Sequence, residues 1–447
     1  MVDGNSFASA EPEKRLFISL LTRDISLVDA VLDLIDNSIN SAIILSRMHL
    51  SSPADYVDLL EVASVPSLPS ISIEFNETRF VIQDTCGGID YETAASKVFR
   101  FGRDYSDDGD STEDEADEGD RLSVYGIGLK RAIFKIGDHV EMSSAHPDGG
   151  FSMDLHVGEW GKLKQDRWQI PIKRFENNIY GTSIVVSDLY ADISRRIDGG
   201  TFGHDLERRI ARTYNYFLNK IVKIEVNGVP VQPVDISYGA NKASDAFVIG
   251  KVSCAVVAGI GIPNGKFHTA EVAGWYVYCN GRAVAFADKS ELTGWGTYLP
   301  SFQPKHRPFV GNVFFTSEHP ELLPWTTTKS SINRESAVWQ HALTVMGAVG
   351  KQITSYLDGR YDDDGTDITV DELRAVAGKA EPTLRSISSA AHTFRYERVR
   401  RQDSSVQFRV LNKDLVEIKA YLGRRSMSNG EAGRYTFDYF LNNVVRE

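Results

Sequence analysis

The apolar positions between Ser26 and Ala42 (SLVDAVLDLIDNSINSA) fall at Leu27, Ala30, Val31, Leu34 and Ile35, the three-and-four spacing of one buried helix face. Asp33 and Asn37 stand four apart, so the same period stacks a carboxylate and an amide on one side of that helix. Ordinary amphipathic helices carry such pairs too; what lies downstream decides between the readings. ISIEF (71–75) and RFVIQD (79–84) predict two strands joined at the turn-forming Asn76. YETAASKVFRFG (91–102) reads as a helix, and RLSVYGIGLKRAIFKIG (121–137) as a glycine-containing turn that enters an apolar helix. HVEMSSA, FSMDLHV, RWQIPI and GTSIVVSDL, between residues 139 and 189, read as successive strands of an antiparallel sheet.

A helix around Asp205–Leu218 marks a change of unit. Beyond it, KIEVNGVPV (223–231) and WYVYCNGRAVAF (275–286) alternate around Asn-Gly, the strongest short hairpin signal. A helix is expected near Ser336–Gly347, and YDDDGTD (361–367) reads as a linker. SVQFRV (405–410) alternates as a strand before a helix at 412–423, then Ser428 as an N-cap and a helix over 430–445. The stretch 51–70 reads as a weakly structured insertion, and 1–15 as a polar leader.

At 447 residues the chain exceeds one ordinary core, so two or three domains are expected. The net charge of −12 argues against a surface that coats nucleic acid, while RYERVRR (395–401) still offers four local arginines. Residues 104–120 hold ten carboxylates and no base, a block that repels itself and predicts a mobile loop. Cys86, Cys254 and Cys279 lie far apart without metal-ligand spacing, which fits reduced thiols in a cytoplasmic protein. No apolar run approaches membrane-spanning length, and MVDGNSFASAEPEKR has no apolar signal core.

DLIDN (33–37), DTCGGI (84–89), YGIGLK (125–130) and GTSIVVSDL (181–189) occur in that order over about 160 residues. Together they resemble the Bergerat ATP-binding fold of the GHKL superfamily, which includes DNA gyrase, heat-shock chaperones, histidine kinases, MutL and the MORC ATPases. The resemblance implies that Asp84 accepts a hydrogen bond from the adenine amine. Gly87 and Gly88 then let the base approach the backbone, and Thr182 completes the adenine contact. It implies that Gly126, Ile127, Gly128 and Leu129 present helix N-terminal amides to phosphate and that Lys130 neutralises one. A turn residue at Asp84 and a solvated surface lysine at Lys130 remain the plain alternatives.

Asn37 would supply an oxygen to Mg²⁺, and Asp33 takes the position of the family's usual glutamate, which orients or deprotonates the attacking water. Asn40, Cys86 and Ser123 also depart from the family pattern, at an aspartate and two glycines. The acidic block falls in the family's ATP lid, placed at 103–122. WYVYCNGRAVAF looks like the strand-turn of the MutL and gyrase transducer domain. PWTTTKSSIN (324–333) likewise puts Lys329 in a loop like the one that reaches the γ-phosphate there; an unliganded loop lysine is the alternative.

The expected fold class is α+β: a Bergerat α/β sandwich (1–195), a transducer-type βαβ domain (196–350), a linker or helical segment (351–400) and a small α-rich module (401–447). That last module is similar to a ribbon–helix–helix unit or a helical dimerisation tail. The function the resemblance implies is a Mg²⁺-dependent ATPase acting as an ATP-gated homodimeric clamp. DNA is its expected partner, as in MORC-like or MutL-like proteins, with defence against phage or foreign DNA as a context. A chaperone-like ATPase and a non-catalytic ATP sensor are the rival expectations.

Overall fold

The computed structural model describes residues 13–46, 50, 52–53, 55, 67–101, 122, 126–163, 168–175, 180–236, 238–262, 268–364, 370–378, 391–396, 406 and 409–446. The acidic block, nearly all of the 51–66 insertion and most of SVQFRV lie outside these residues. The chain falls into two compact units, residues 1–361 with 367–396 and residues 362–366 with 397–447.

The first unit opens with α1 (Lys14–Arg23) and α2 (Leu27–Ser46). Ser26 caps α2: its hydroxyl accepts from the Asp29 amide at 3.1 Å and donates to the Asp29 carboxylate at 2.7 Å. β1 (Ser70–Phe75) and β2 (Arg79–Asp84) form the expected hairpin, and Asn76 Oδ1 closes it by accepting from the amides of Thr78 and Arg79. A short helix α3 (Tyr91–Thr93) runs on as a π turn to Val98, and α4 spans Gly128–Ile136. β3 (Gly137–Ala145), β4 (Gly150–His156), β5 (Ile172–Phe175), β6 (Gly181–Leu189), β7 (Lys223–Val226) and β8 (Val229–Pro230) complete one sheet in the order β5-β4-β3-β6-β2-β1-β7-β8. All its ladders are antiparallel except β1 with β7.

Period-2 alternation turns Ile71, Ile73, Phe80, Ile82, Val140, Met142, Ile184 and Val186 to one face, where α2 and α4 cover them. This is the expected α/β sandwich. One strand differs from expectation: RWQIPI pairs only from Ile172. Pro171 has no amide to donate, and Trp168 leaves the sheet to pack edge-on against Trp160, Phe17 and Phe101. The KIEV strand, read from sequence as part of the second region, pairs in parallel with β1 on the first sheet.

α5 (Ala191–Asp198) and α6 (Phe202–Thr213) lead to the second sheet. It is built from β9 (Tyr238–Ile249), β10 (Val252–Gly261), β11 (Gly274–Cys279), β12 (Arg282–Asp288) and β13 (Phe309–Thr316), in the order β12-β11-β13-β10-β9. The β11–β12 hairpin turns at Asn280 and Gly281, both at positive φ, as Asn-Gly predicts. β13 is buried on both faces, which explains why apolar residues dominate it on both, with Asn312 and Thr316 as buried polar exceptions. Trp275 and Trp339 pack into the main core; Tyr216, Tyr276, Tyr278 and Phe314 form a separate aromatic cluster. α7 runs Ala337–Asp364, well past the helix expected to Gly347, because Val349, Ile353, Tyr356 and Leu357 keep the buried stripe going. α8 (Val370–Ala377) packs beside β9.

In the second unit, α9 (Asn412–Tyr421) and α10 (Asn429–Phe440) follow expectation, and Ser428 and Glu431 make a reciprocal capping box. Val406 and Val410 lie outside any strand. Among the described residues of this unit Ala432 is buried, whereas Val416, Tyr421, Phe437, Tyr439 and Phe440 are exposed.

A Cβ at Gly311 would stand 2.4 Å from the Trp275 ring. Gly311→Ala is therefore expected to cost roughly 1–3 kcal/mol by overpacking. Calorimetry reads this as a lower unfolding midpoint; an unchanged midpoint would contradict the packing described.

Candidate nucleotide site and its buried charge cluster

α2 carries the site's acids on its inner side. Asp33 and Asp36 are 2 % and 1 % exposed, and Asn37 is half-buried beside them. Charges this deep persist only when paired. Asp36 Oδ1 accepts from the Tyr214 hydroxyl at 2.7 Å and from Arg282 Nε at 2.9 Å, and its Oδ2 accepts from Lys329 Nζ at 2.8 Å. Arg282 Nη1 also donates to the Lys329 carbonyl at 2.5 Å, fixing the tip on which Lys329 sits at φ +51°. Burial opposes the charge on Asp36, but Arg282 and Lys329 more than offset it and hold the carboxyl below its ordinary value. The same carboxylate and Tyr214 push the Arg282 guanidinium upward against its burial.

Asp33 has the opposite balance. Its Oδ2 accepts from Arg131 Nε at 3.0 Å and Nη2 at 2.5 Å, yet burial dominates and raises its carboxyl above the usual range. Lys329 and Arg131 lower it only in part. Gly128 opens α4 against this residue; a Cβ there would lie 3.4 Å from Asp33 Cβ. Gly126 turns at φ +61°, Ile127 is the N-cap, and Leu129 faces the core. The first amides of α4 thus start beside the Asp33 carboxylate, with no side chain capping them.

Asp84 ends β2. Its Oδ2 accepts from Ser38 Oγ at 2.7 Å, and its Oδ1 from the amides of Cys86 at 2.9 Å and Thr182 at 3.3 Å. Burial raises its carboxyl, and those three donors pull it back in part. Thr182 Oγ1 pairs with Ser144 Oγ at 2.9 Å, and Ser144 Oγ accepts from the Ile89 amide at 2.7 Å. The glycines here are required by space. A Cβ on Gly88 would come within 1.8 Å of the Ala145 carbonyl, and one on Gly181 within 2.0 Å of the Asp84 carbonyl. The result is a small polar cradle of Asp84, Ser38, Thr182 and Ser144, held in shape by tight backbone packing at Gly88 and Gly181.

Two cations expected at phosphate have partners within the chain. The Lys130 ammonium donates to the carbonyls of Val98 at 2.8 Å and Arg100 at 2.6 Å, and burial pushes its pKa down to about 8. It ties α4 to the segment that enters the acidic stretch. Lys329, expected to reach a γ-phosphate, has its ammonium 2.8 Å from Asp36 Oδ2. Asn40 Oδ1 accepts from the buried Leu122 amide at 3.0 Å.

Asp36, Arg282, Tyr214, Arg131, Ser38 and Ser144 complete the site without having been singled out from sequence. Asp36 and Arg282 lie inside the motifs, at DLIDN and Asn-Gly-Arg, and the apolar face of α2 around Leu32 and Ile35 marks Asp36 as buried. Tyr214 gives no signal in the chain.

Residues 25–182 match the family of histidine kinase-, DNA gyrase B- and HSP90-like ATPases. No curated protein matches the chain.

Because the Asp36 carboxyl is lower folded than unfolded, it stabilises the protein at neutral pH, and that contribution fades as pH falls through its folded value, below about 4. Asp36→Asn leaves two buried cations short of their counter-ion and is expected to cost about 3–5 kcal/mol at pH 7. In denaturant titrations the gap to the wild type should narrow below pH 4. Equal stabilities at pH 7 would contradict the cluster.

Proposed function

We propose, from the premise that residues 25–182 are a histidine kinase-, DNA gyrase B- and HSP90-like ATPase domain that binds ATP, that the chain hydrolyses ATP and uses its γ-phosphate to move the second sheet. The observation that carries this reading is the double anchoring of Asp36. Lys329 and Arg282, both from the second sheet's side of the unit, end on a carboxylate one residue before Asn37.

The cradle fits the nucleotide. Asp84 takes the adenine amine, Thr182 and Ser144 offer hydroxyls beside it, and Gly88 and Gly181, packed on the chain's own carbonyls, hold that end of the site in shape. The α4 N-terminus takes phosphate oxygens, and Asn37 would hold Mg²⁺, whose charge offsets that of the phosphates. Asp33, its carboxyl raised by burial, accepts the proton of the attacking water once Arg131 turns aside. Lys329 exchanges Asp36 for the γ-phosphate, a single cation with two competing anions. Asp36 keeps Arg282 and Tyr214 through the exchange, so the second sheet stays attached while its Lys329 loop shifts.

The exposed Val416, Tyr421, Phe437, Tyr439 and Phe440 of the C-terminal helices support a further step, pairing of two copies into an ATP-gated clamp on DNA. A second reading, a nucleotide sensor with little turnover, is favoured by the Arg131 hold on Asp33.

Asp84→Asn is expected to weaken ATP binding roughly 10–100-fold, the loss of a charge-assisted bond. Asp33→Ala should keep binding and lose turnover. Turnover retained by Asp33→Ala in a phosphate-release assay would remove it as the base. Solution mass with and without a non-hydrolysable ATP analogue and Mg²⁺ tests the clamp: a monomer–dimer shift supports it, and an unchanged mass sinks it.

A further inference from the structure

Away from the nucleotide cradle, α6 and β12 enclose a cleft of about 230 Å³. Arg208, Arg209 and Arg212 project into it from one side of α6, against the Ala283–Phe286 stretch of β12. β12 is the outer strand of its sheet, so one backbone edge has no strand neighbour. Asp205 is the one carboxylate in the lining.

Among the described residues these arginines are poorly answered. Arg209 Nε is buried and has no hydrogen-bond acceptor among the described residues. Its Nη2 stands 3.5 Å from Asp29 Oδ1, longer than a hydrogen bond. Arg212 Cζ stands over the Phe286 ring, 4.9 Å from its centroid, a cation–π contact that places the guanidinium at the cleft. A buried donor without an acceptor carries a standing cost that a bound anion would remove.

We propose that this cleft is a phosphate-binding site. Planar guanidinium forks match the tetrahedral oxyanion geometry of a phosphate group, and several together balance its charge. The volume is enough for one phosphate with an adjoining sugar. The same chemistry comes from two sources, a free phosphate or a phosphodiester of nucleic acid. Occupancy would also reach the ATPase helix, because Arg209 neighbours Asp29 in the first turn of α2. None of these residues belongs to the nucleotide cradle, so the inference stands whether or not the chain turns over ATP.

The test uses the full chain at low salt, with inorganic phosphate as calorimetric probe and a short double-stranded oligonucleotide as competitor. Saturable phosphate binding is expected in the wild type and in Asp84→Asn, which disables the nucleotide cradle. It is also expected in the doubly substituted Arg195→Ala/Arg196→Ala control, which loses two exposed charges elsewhere. Arg209→Gln/Arg212→Gln should bind at least tenfold more weakly. The exposed Arg208→Gln should weaken binding without disturbing the fold. Displacement of phosphate by the oligonucleotide assigns the site to a phosphodiester; failure to displace it assigns the site to a small phosphate. Equal affinity in the Arg209/Arg212 variant and the wild type, or loss of binding in Asp84→Asn, would overturn the proposal.

Discussion

Arg282 of the second sheet and the Lys329 loop beside it meet helix α2 of the first sheet at one buried carboxylate. Asp36 sits almost without solvent on α2, and a lone charge there would be forced to neutralise. It stays ionised because Arg282, Lys329 and Tyr214 converge on its two oxygens. Two of those donors come from the second sheet or its loop, so α2 cannot shift without dragging them. Such a pair adds little net stability compared with an apolar substitute, and its worth lies in specifying one arrangement that a competing anion can undo.

The neighbouring Asp33 shows how one helix makes two carboxyls do different work. Burial wins at Asp33, where the Arg131 bonds offset it incompletely, and loses at Asp36, where two cations act together. Environments that push two acids apart are the usual mark of divided roles, one accepting protons and one holding charge. The three-residue spacing that separates them places both on the inner face of α2, toward α4 and the second sheet.

Much of this was legible in the chain, and the misses have physical causes. The Asn-Gly pairs at 227–228 and 280–281 announce hairpins because few other residues accept positive φ there. The glycines at 88 and 181 and the strand-ending Asp84 fall in the matched motifs, and the structure shows the close backbone approach that requires them. A helix N-terminus suggests a phosphate partner for Lys130, and the sequence cannot reveal that the carbonyls of Val98 and Arg100 take its ammonium. Tyr214 was invisible because its partner lies 178 positions away. The strand at 172–175 was shifted because alternation says nothing about an amide missing at Pro171.

The central claim is that Lys329 leaves Asp36 when ATP is bound, and hydrogen exchange of the 324–333 loop tests it most directly. The loop is held now by the Arg282 bond to the Lys329 carbonyl and by Lys329 Nζ on Asp36. A non-hydrolysable ATP analogue with Mg²⁺ is expected to change protection across this loop, ADP is not, and Lys329→Met should abolish the difference. Identical exchange with the analogue, with ADP and without nucleotide would contradict it.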